Sequence, residues 1–423
     1  MTALLRAFGP TGHGARPQRR EAPAGARLGR LAVRCAILAL SVHTPAVAQS
    51  RIAVLEEPDG SAVAVSIALN AGTSWELDFE AGLTHLAARA IAEEVRPALD
   101  ALGGRIAVEC RSAATVFTLL LPPENWAQGV DRFLRALFGA SVSEGAVERG
   151  RERLLRSFDA RAGAFPHELN LAVTRALFGD EHRWARPVCG RADALARHDA
   201  EEVRRLMRSR FQPTRAAAAV AGPVTTAEAR TVLLHALGED VLPVLVPAPA
   251  SGTGRGAIHV IRPTVTTWIG LAFPFPRDAD PEALRLLAFR IREAFRPSFQ
   301  RPDVFDAGAT VEQHGDGGWL QVVLVTAPER AEDYANDVIA LVRRAASEPL
   351  PRAEFEDLRR RYRGRRLLEL ETPEARARNA ALQLYFEQRF RLPSESIAAL
   401  TRRRLQRAAA ALGRPAVAVL GPE

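Results

Sequence analysis

The sequence predicts an α+β protein of two similar domains, each a mostly antiparallel sheet packed against helices. Three observations predict it. Short runs of alternating apolar residues, such as Val63, Val65, Ile67 and Leu69, stand between stretches with helical core spacing, such as Val130, Phe133, Leu134 and Leu137. The pattern then occurs a second time. Val116 to Leu121 precedes Pro123-Glu124 as Leu320 to Val325 precedes Pro328-Glu329, and the four core positions of the first copy correspond to Ala335, Val338, Ile339 and Val342 of the second. An offset of about 205 residues is too long for a solenoid repeat and fits a duplicated domain. Finally, the proline-rich run Pro243 to Pro249, followed by Ser-Gly-Thr-Gly, has linker composition.

With 423 residues, 47% of them apolar and 25% charged, the chain has room for two domains with buried cores. The formal charge of +8 suggests nucleic acid, but its distribution argues against that partner. Residues 1–48 hold seven arginines against Glu21, so the remainder is close to neutral. All 57 basic residues are arginine, which points to codon bias rather than to selected contacts. Arg359, Arg360, Arg361, Arg363, Arg365 and Arg366 read as a solvated helix face, with an acidic partner surface as the second reading.

Residues 1–48 read as a secretory signal: a basic region, an apolar core from Leu31 to Val42, and Ala46-Val47-Ala48 as a cleavage site before Gln49. Arg34 interrupts the core and the basic region is long, which leaves open a translation start downstream of Met1. The core is too short to span a bilayer and no later stretch reaches its length. The expectation is an exported chain of the bacterial periplasm, with no stable membrane span once the signal is removed. Cys35 falls in the signal; Cys110 and Cys189 remain and could pair in an oxidising compartment, which their spacing does not decide.

The first domain is expected over 49–222. It opens with a strand at Arg51 to Leu55, a turn at Pro58-Asp59-Gly60 and the alternating strand from Val63. A helix from Leu83 to about Val95 and a second stretch, Arg96 to Leu102, close at Gly103-Gly104. Two strands follow, Arg105 to Cys110 and Ala114 to Leu121, ended by Pro122-Pro123. Helices are expected around Val130 to Leu137, around Ser143 to Asp159, from Phe165-Pro-His-Glu-Leu to an end in Ala176-Leu-Phe-Gly-Asp, and around Val203 to Phe211, then a closing strand, Ala216 to Val220. A linker is expected over 223–256, including a helix to about Leu237. The second domain, 257–423, repeats the plan, with a strand from Thr267 leading into a helix from Pro281 to Ala294. His167-Glu168 and Glu181-His182 lack the spacing of a metal-binding helix and read as surface residues.

The stretch joining the second strand to the first helix carries the strongest motif. Gly72 and Glu76 form a Gly-x-x-x-Glu turn, and Gly82, Leu83 and His85 a Gly-Leu-x-His helix start. This resembles the insulinase and pitrilysin family of zinc peptidases, which includes the mitochondrial processing peptidases. In that family the helix bears His-x-x-Glu-His. Residues three and four apart share a face, so two imidazoles hold Zn²⁺ while the glutamate activates its water.

Here the motif is degenerate. His85 remains, but Ala88 stands at the general-base position and Arg89 at the second ligand position. Glu148-Arg149 match the start of the family's Glu-Arg-x5-Glu pattern, which puts Leu155 at the third ligand position. A catalytic zinc needs three protein ligands and an open position. A guanidinium about 4 Å from a divalent ion would oppose binding by roughly 8 kcal/mol at an effective dielectric near 20. No catalytic residue and no metal are therefore expected in this chain; any zinc would sit in a partner subunit.

The resemblance implies more. The strand after Gly103-Gly104 would lie at a sheet edge and accept a peptide as an added strand, with Ile106, Ala107 and Val108 as the candidates. The segment Trp184 to Gly190 is similar to the family's His-Pro-x-Gly-x-Pro-x-x-Gly loop. An arginine and a tyrosine that active relatives supply from the second half correspond here to Ser298 and Phe305, a degenerate pair. A half-size chain of this kind implies an active insulinase-family peptidase subunit as partner and peptides as substrates. The function so implied is that of a catalytically inactive subunit of an exported heterodimeric zinc metallopeptidase, shaping its peptide chamber. The alternative is a non-proteolytic binding or scaffold protein on the same fold, comparable to relatives that serve as structural parts of respiratory complexes. Homodimer and heterodimer both remain open.

Overall fold

Two five-stranded sheets carry the fold, and their strand orders repeat one another: β1-β5-β2-β4-β3 and β6-β10-β7-β9-β8. The computed structural model describes residues 50–159, 163–238, 256–315 and 317–422. The expected signal segment and the run Pro243 to Pro249 lie outside the described residues.

The first half comprises β1 (Ile52–Glu56), β2 (Val63–Leu69), α1 (Leu83–Asp100), β3 (Arg105–Cys110), β4 (Thr115–Leu121), α2 (Trp126–Phe138), α3 (Glu144–Asp159), α4 (Phe165–Phe178), α5 (Ala192–Leu195), α6 (Ala200–Arg210) and β5 (Ala216–Gly222). Helix α7 (Thr226–Leu237) follows it. The second half comprises β6 (Ala257–Ile261), β7 (Thr267–Pro276), α8 (Pro281–Phe295), β8 (Val304–His314), β9 (Gly317–Thr326), α9 (Ala331–Ser347), α10 (Arg352–Glu369), α11 (Pro373–Glu387), α12 (Pro393–Ala398), α13 (Arg402–Ala410) and β10 (Ala416–Gly421). In each sheet the first and last strands of the half pair in parallel, β1 with β5 and β6 with β10, and the other pairings are antiparallel. This is the α+β class of two sheet-and-helix units that the sequence predicts.

The alternation of β2 leads to expect one buried face, yet all seven of its residues are buried. Val63, Val65, Ile67 and Leu69 enter the core of their own half with Leu86 and Ile91 of α1. Ala68, on the opposite face, packs with Ala217 and Ala219 of β5 against Ala380, Ala381, Leu384 and Tyr385 of α11, a helix of the other half. The run of alanines in β5 follows from this contact, because small side chains on both surfaces let a helix lie close to the strands.

The exchange is reciprocal. Helix α4 of the first half packs Leu169, Ala172 and Val173 against Ala272 of β7 and Ala418 and Leu420 of β10. Gly270 makes room for it, since a Cβ there would stand 2.2 Å from Val173 Cγ2. Ion pairs repeat the symmetry: Arg376 of α11 pairs with Glu57 just after β1 at 2.6 Å, and Glu168 of α4 pairs with Arg262 just after β6. Each half thus supplies the helix that covers the outer face of the other's sheet.

One boundary differs from expectation. Residues 83–100 form a single helix with Pro97 inside it, where two stretches are expected. Proline removes one helical donor, and the carbonyl it leaves unpaired, that of Glu93, accepts a hydrogen bond from Arg149 Nη2 at 3.4 Å instead.

The arginine-rich helix α10 pairs within itself and with its neighbours. Arg359 meets Glu356 at 2.6 Å, Arg361 meets both Asp357 at 2.9 Å and Glu293 at 3.1 Å, and Arg365 meets Glu369 at 2.8 Å. Intrahelical pairs of this kind fit a solvated face.

Candidate functional site

The start of α1 is built by the loop before it. Glu76 is 6% exposed. Its carboxyl accepts the backbone N–H of Gly82 at 2.9 Å and of Thr84 at 2.7 Å, satisfying donors that a helix start leaves open. Burial pushes this carboxyl up to about 7, against the lowering effect of the two amides and of Arg210. Gly82 takes φ +86°, and a Cβ on it would stand 2.9 Å from the carbonyl oxygen of Cys189. Across that contact, a Cβ on Gly190 (φ +73°) would stand 2.4 Å from Gly82 Cα. Two glycines back to back therefore press the Trp184–Gly190 loop against the helix start.

A cavity of about 410 Å³ opens beside this contact. Its walls come from both halves: His85 and Arg89 of α1, the Val108 to Arg111 end of β3, one face of α4, the loop from Trp184 to Cys189, and Glu312, Gln313 and Trp319 of the second half. His85 is buried, and Arg89 Nε donates to its Nε2 at 3.4 Å.

The structure brings together His85, Arg89 and Val108 of the residues singled out in the sequence. Ala88 is wholly buried in the core of the first half and does not line the cavity. Leu155 sits half-buried on α3, outside the lining. Ile106 and Ala107 line a separate groove with Thr372, Glu374 and Arg378, which Val108 also borders. Strand β3 ends its sheet, so its outer edge has no paired strand among the described residues. Ser298 lies in an exposed turn, bridged to Arg301, and Phe305 is half-exposed on β8; neither lines the cavity. The second half contributes Glu312, Gln313 and Trp319 in their stead, and no sequence motif marks those three.

Cys110 and Cys189 line the same cavity and are not bonded to each other. Burial pushes the Cys110 thiol up to about 12, which keeps it protonated and weak as a nucleophile. Glu109 binds Arg111 at 2.6 Å and Arg378 at 3.1 Å. Above the cavity the halves meet in an aromatic cluster: the Trp184 ring lies 4.6 Å from that of His314, and the Phe178 ring 5.5 Å from that of Trp319. Burial, with His182 adjacent, pulls His314 down to about 4. Among the described residues, no group of three or more His, Cys, Asp or Glu side chains is arranged to hold a metal ion.

Two sheets with one strand order, a helix exchanged between the halves and a cavity at the first helix define the class as a duplicated α+β fold with a site between its halves. Residues 198–362 match the family model described as the peptidase M16 inactive domain. No curated protein matches the chain. Among solved structures, it is similar to the peptidase M16 inactive domain from Pseudomonas fluorescens, at 13% identity and a TM-score of 0.72, covering 89% of this chain and 97% of that one. It is similar also to a protease from Helicobacter pylori, at 13% identity and a TM-score of 0.71, with 88% and 96% covered. A chain of Complex III2 from Candida albicans, solved with Inz-5 bound, aligns at 12% identity and a TM-score of 0.70, with 88% and 93% covered. The resemblance to the insulinase family therefore holds in the sequence over 198–362 and in the fold over most of the chain. Together these comparisons support an insulinase-family-like protein, with the match to the inactive-domain model lying over 198–362.

Proposed function

We propose that this chain is the non-catalytic subunit of an exported heterodimeric zinc metallopeptidase and that it forms part of the wall of the peptide chamber. The observation that carries the reading is the contact between Arg89 and His85. The imidazole nitrogen that would face a metal accepts from a guanidinium at 3.4 Å, and the helix offers an alanine where water would be activated. A single imidazole beside a fixed cation falls short of the three ligands a catalytic zinc requires. The β3 edge, which pairs with no strand among the described residues and whose end lines the cavity, supports a peptide-holding role. Zinc, in this reading, belongs to the partner, and the signal-like residues 1–48 support export to the periplasm.

The test is to purify the chain alone, measure its zinc content and its hydrolysis of peptides, and repeat the assay after mixing it with an exported relative that carries an intact His-x-x-Glu-His. Activity that appears only on mixing supports the reading. Stoichiometric zinc and hydrolysis by this chain alone would overturn it. A second reading, a binding or scaffold protein, draws support from the fold likeness to a chain of Complex III2; it predicts peptide or protein binding with no gain of hydrolysis on mixing.

A further inference from the structure

We infer that Arg89 is a receptor for a peptide carboxylate, so that the cavity selects the acidic end or an acidic side chain of the peptide lying along β3. The inference rests on the peptide-binding role proposed above and specifies its ligand.

Three arginines line the cavity, and two of them are already engaged. Arg111 Nε meets Glu109 at 2.6 Å, and its Nη1 lies 4.0 Å from Glu312. Arg186 donates to the carbonyl oxygen of Glu76 at 2.7 Å and pairs with Asp78. Arg89 differs from both. Its Nε donates to a histidine, and among the described residues it meets no carboxylate. A half-buried guanidinium has given up part of its hydration, and among the described residues no carboxylate compensates Arg89 for it.

The neighbouring groups do not supply that anion. Cys110, which lies beside Arg89, is kept a neutral thiol by burial. Glu312, which also lines the cavity, already faces Arg111 at 4.0 Å. The planar fork of arginine matches a carboxylate with two parallel hydrogen bonds. Val108 to Arg111, at the end of the edge strand, line the same cavity. A peptide paired to that edge would therefore bring its own carboxylate within reach of α1.

The experiment titrates the full-length mature chain with a peptide of about ten residues, sized to span an edge strand, in three forms: free carboxylate, C-terminal amide, and amide with one internal glutamate. Binding is read by fluorescence anisotropy. The free acid should bind roughly tenfold to a hundredfold tighter than the amide, the range for a charge-assisted hydrogen bond. The preference should weaken with added salt and vanish in Arg89→Gln. If the internal glutamate restores affinity to the amide, a side-chain carboxylate serves as well as a terminal one, and the inference stands. Equal binding of all three forms would overturn the inference while leaving a peptide-binding chamber intact. Failure of every form to bind would overturn both. The acid-versus-amide comparison is made on the unaltered protein and so does not depend on the folding of the variant.

Discussion

Arg149 Nη2 lies 3.4 Å from the carbonyl oxygen of Glu93, the acceptor that Pro97 leaves without its helical donor. An arginine of α3 thereby repairs a gap in α1 and ties together the two helices on which the family's metal ligands would sit. Glu93 strengthens the tie through its carboxylate, which meets Arg153 at 2.8 Å and Arg96 at 3.2 Å.

Arg149→Ala should cost about 1 kcal/mol, the net worth of one hydrogen bond. The cost should shrink when Pro97→Ala restores the helical N–H. A double-mutant cycle by urea denaturation checks this; equal costs in both backgrounds would separate Arg149 from the proline gap.

Tyr385 anchors the exchanged helix α11. Its hydroxyl lies 2.8 Å from Asn70 Oδ1 and 3.0 Å from the carbonyl oxygen of Ala113, and the ring is buried. Tyr385→Phe should lower stability by about 1–3 kcal/mol, because buried acceptors lose their donor while the ring still fills its space. Thermal melts read the loss, and protease sensitivity between the halves should rise with it.

Gly190→Ala should destabilise by roughly 1–3 kcal/mol, combining a positive φ with a Cβ placed 2.4 Å from Gly82 Cα. The added methyl would push the loop from the start of α1. Quenching of Trp184 fluorescence should therefore change more in this variant than in Gly163→Ala, whose added methyl meets nothing within 4 Å.

Two titratable groups give stability opposite slopes with pH. His314 sits at about 4 in the fold, below its unfolded value near 6.5, so it contributes stability that is present above pH 6.5 and lost as pH falls toward 4. After discounting for its partial exposure, the loss should be on the order of 2 kcal/mol, and His314→Phe should remove that slope.

Glu76 acts in the other direction. Its carboxyl is raised to about 7 from an unfolded value near 4.5, so its contribution is full below pH 4.5 and lost as pH rises through 7. Denaturation midpoints of Glu76→Gln should lack the decline between pH 4.5 and 7 that the native chain shows. A decline that persists unchanged in the variant would assign it to other groups.

Much of this architecture was legible in the residues. Strand alternation, core spacing and the twofold recurrence of Val-rich strand, proline and helix are local patterns, and the described strands and helices follow them within a few positions. The same holds for the degenerate motif, since helical spacing alone puts His85 and Arg89 one turn apart. Where local reading failed, a distant partner had intervened. Pro97 argues for a helix end, and the helix continues past it beside a guanidinium from another helix. Ser298 and Phe305 carry a sequence correspondence, and the cavity instead takes Glu312, Gln313 and Trp319.

By itself the sequence determined the two-part α+β plan, the order of elements in each half and the placing of His85, Ala88 and Arg89 one turn apart on the helix from Leu83, because these depend on periods and spacings along the chain. The tertiary structure alone decided that α4 and α11 trade places, that β2 is covered on both faces, and that among the described residues no carboxylate reaches Arg89. The physical reason is that an apolar stripe specifies that a helix must bury its face but not which sheet will receive it. Likewise a charge on a helix does not reveal whether the fold will bring it a counter-charge.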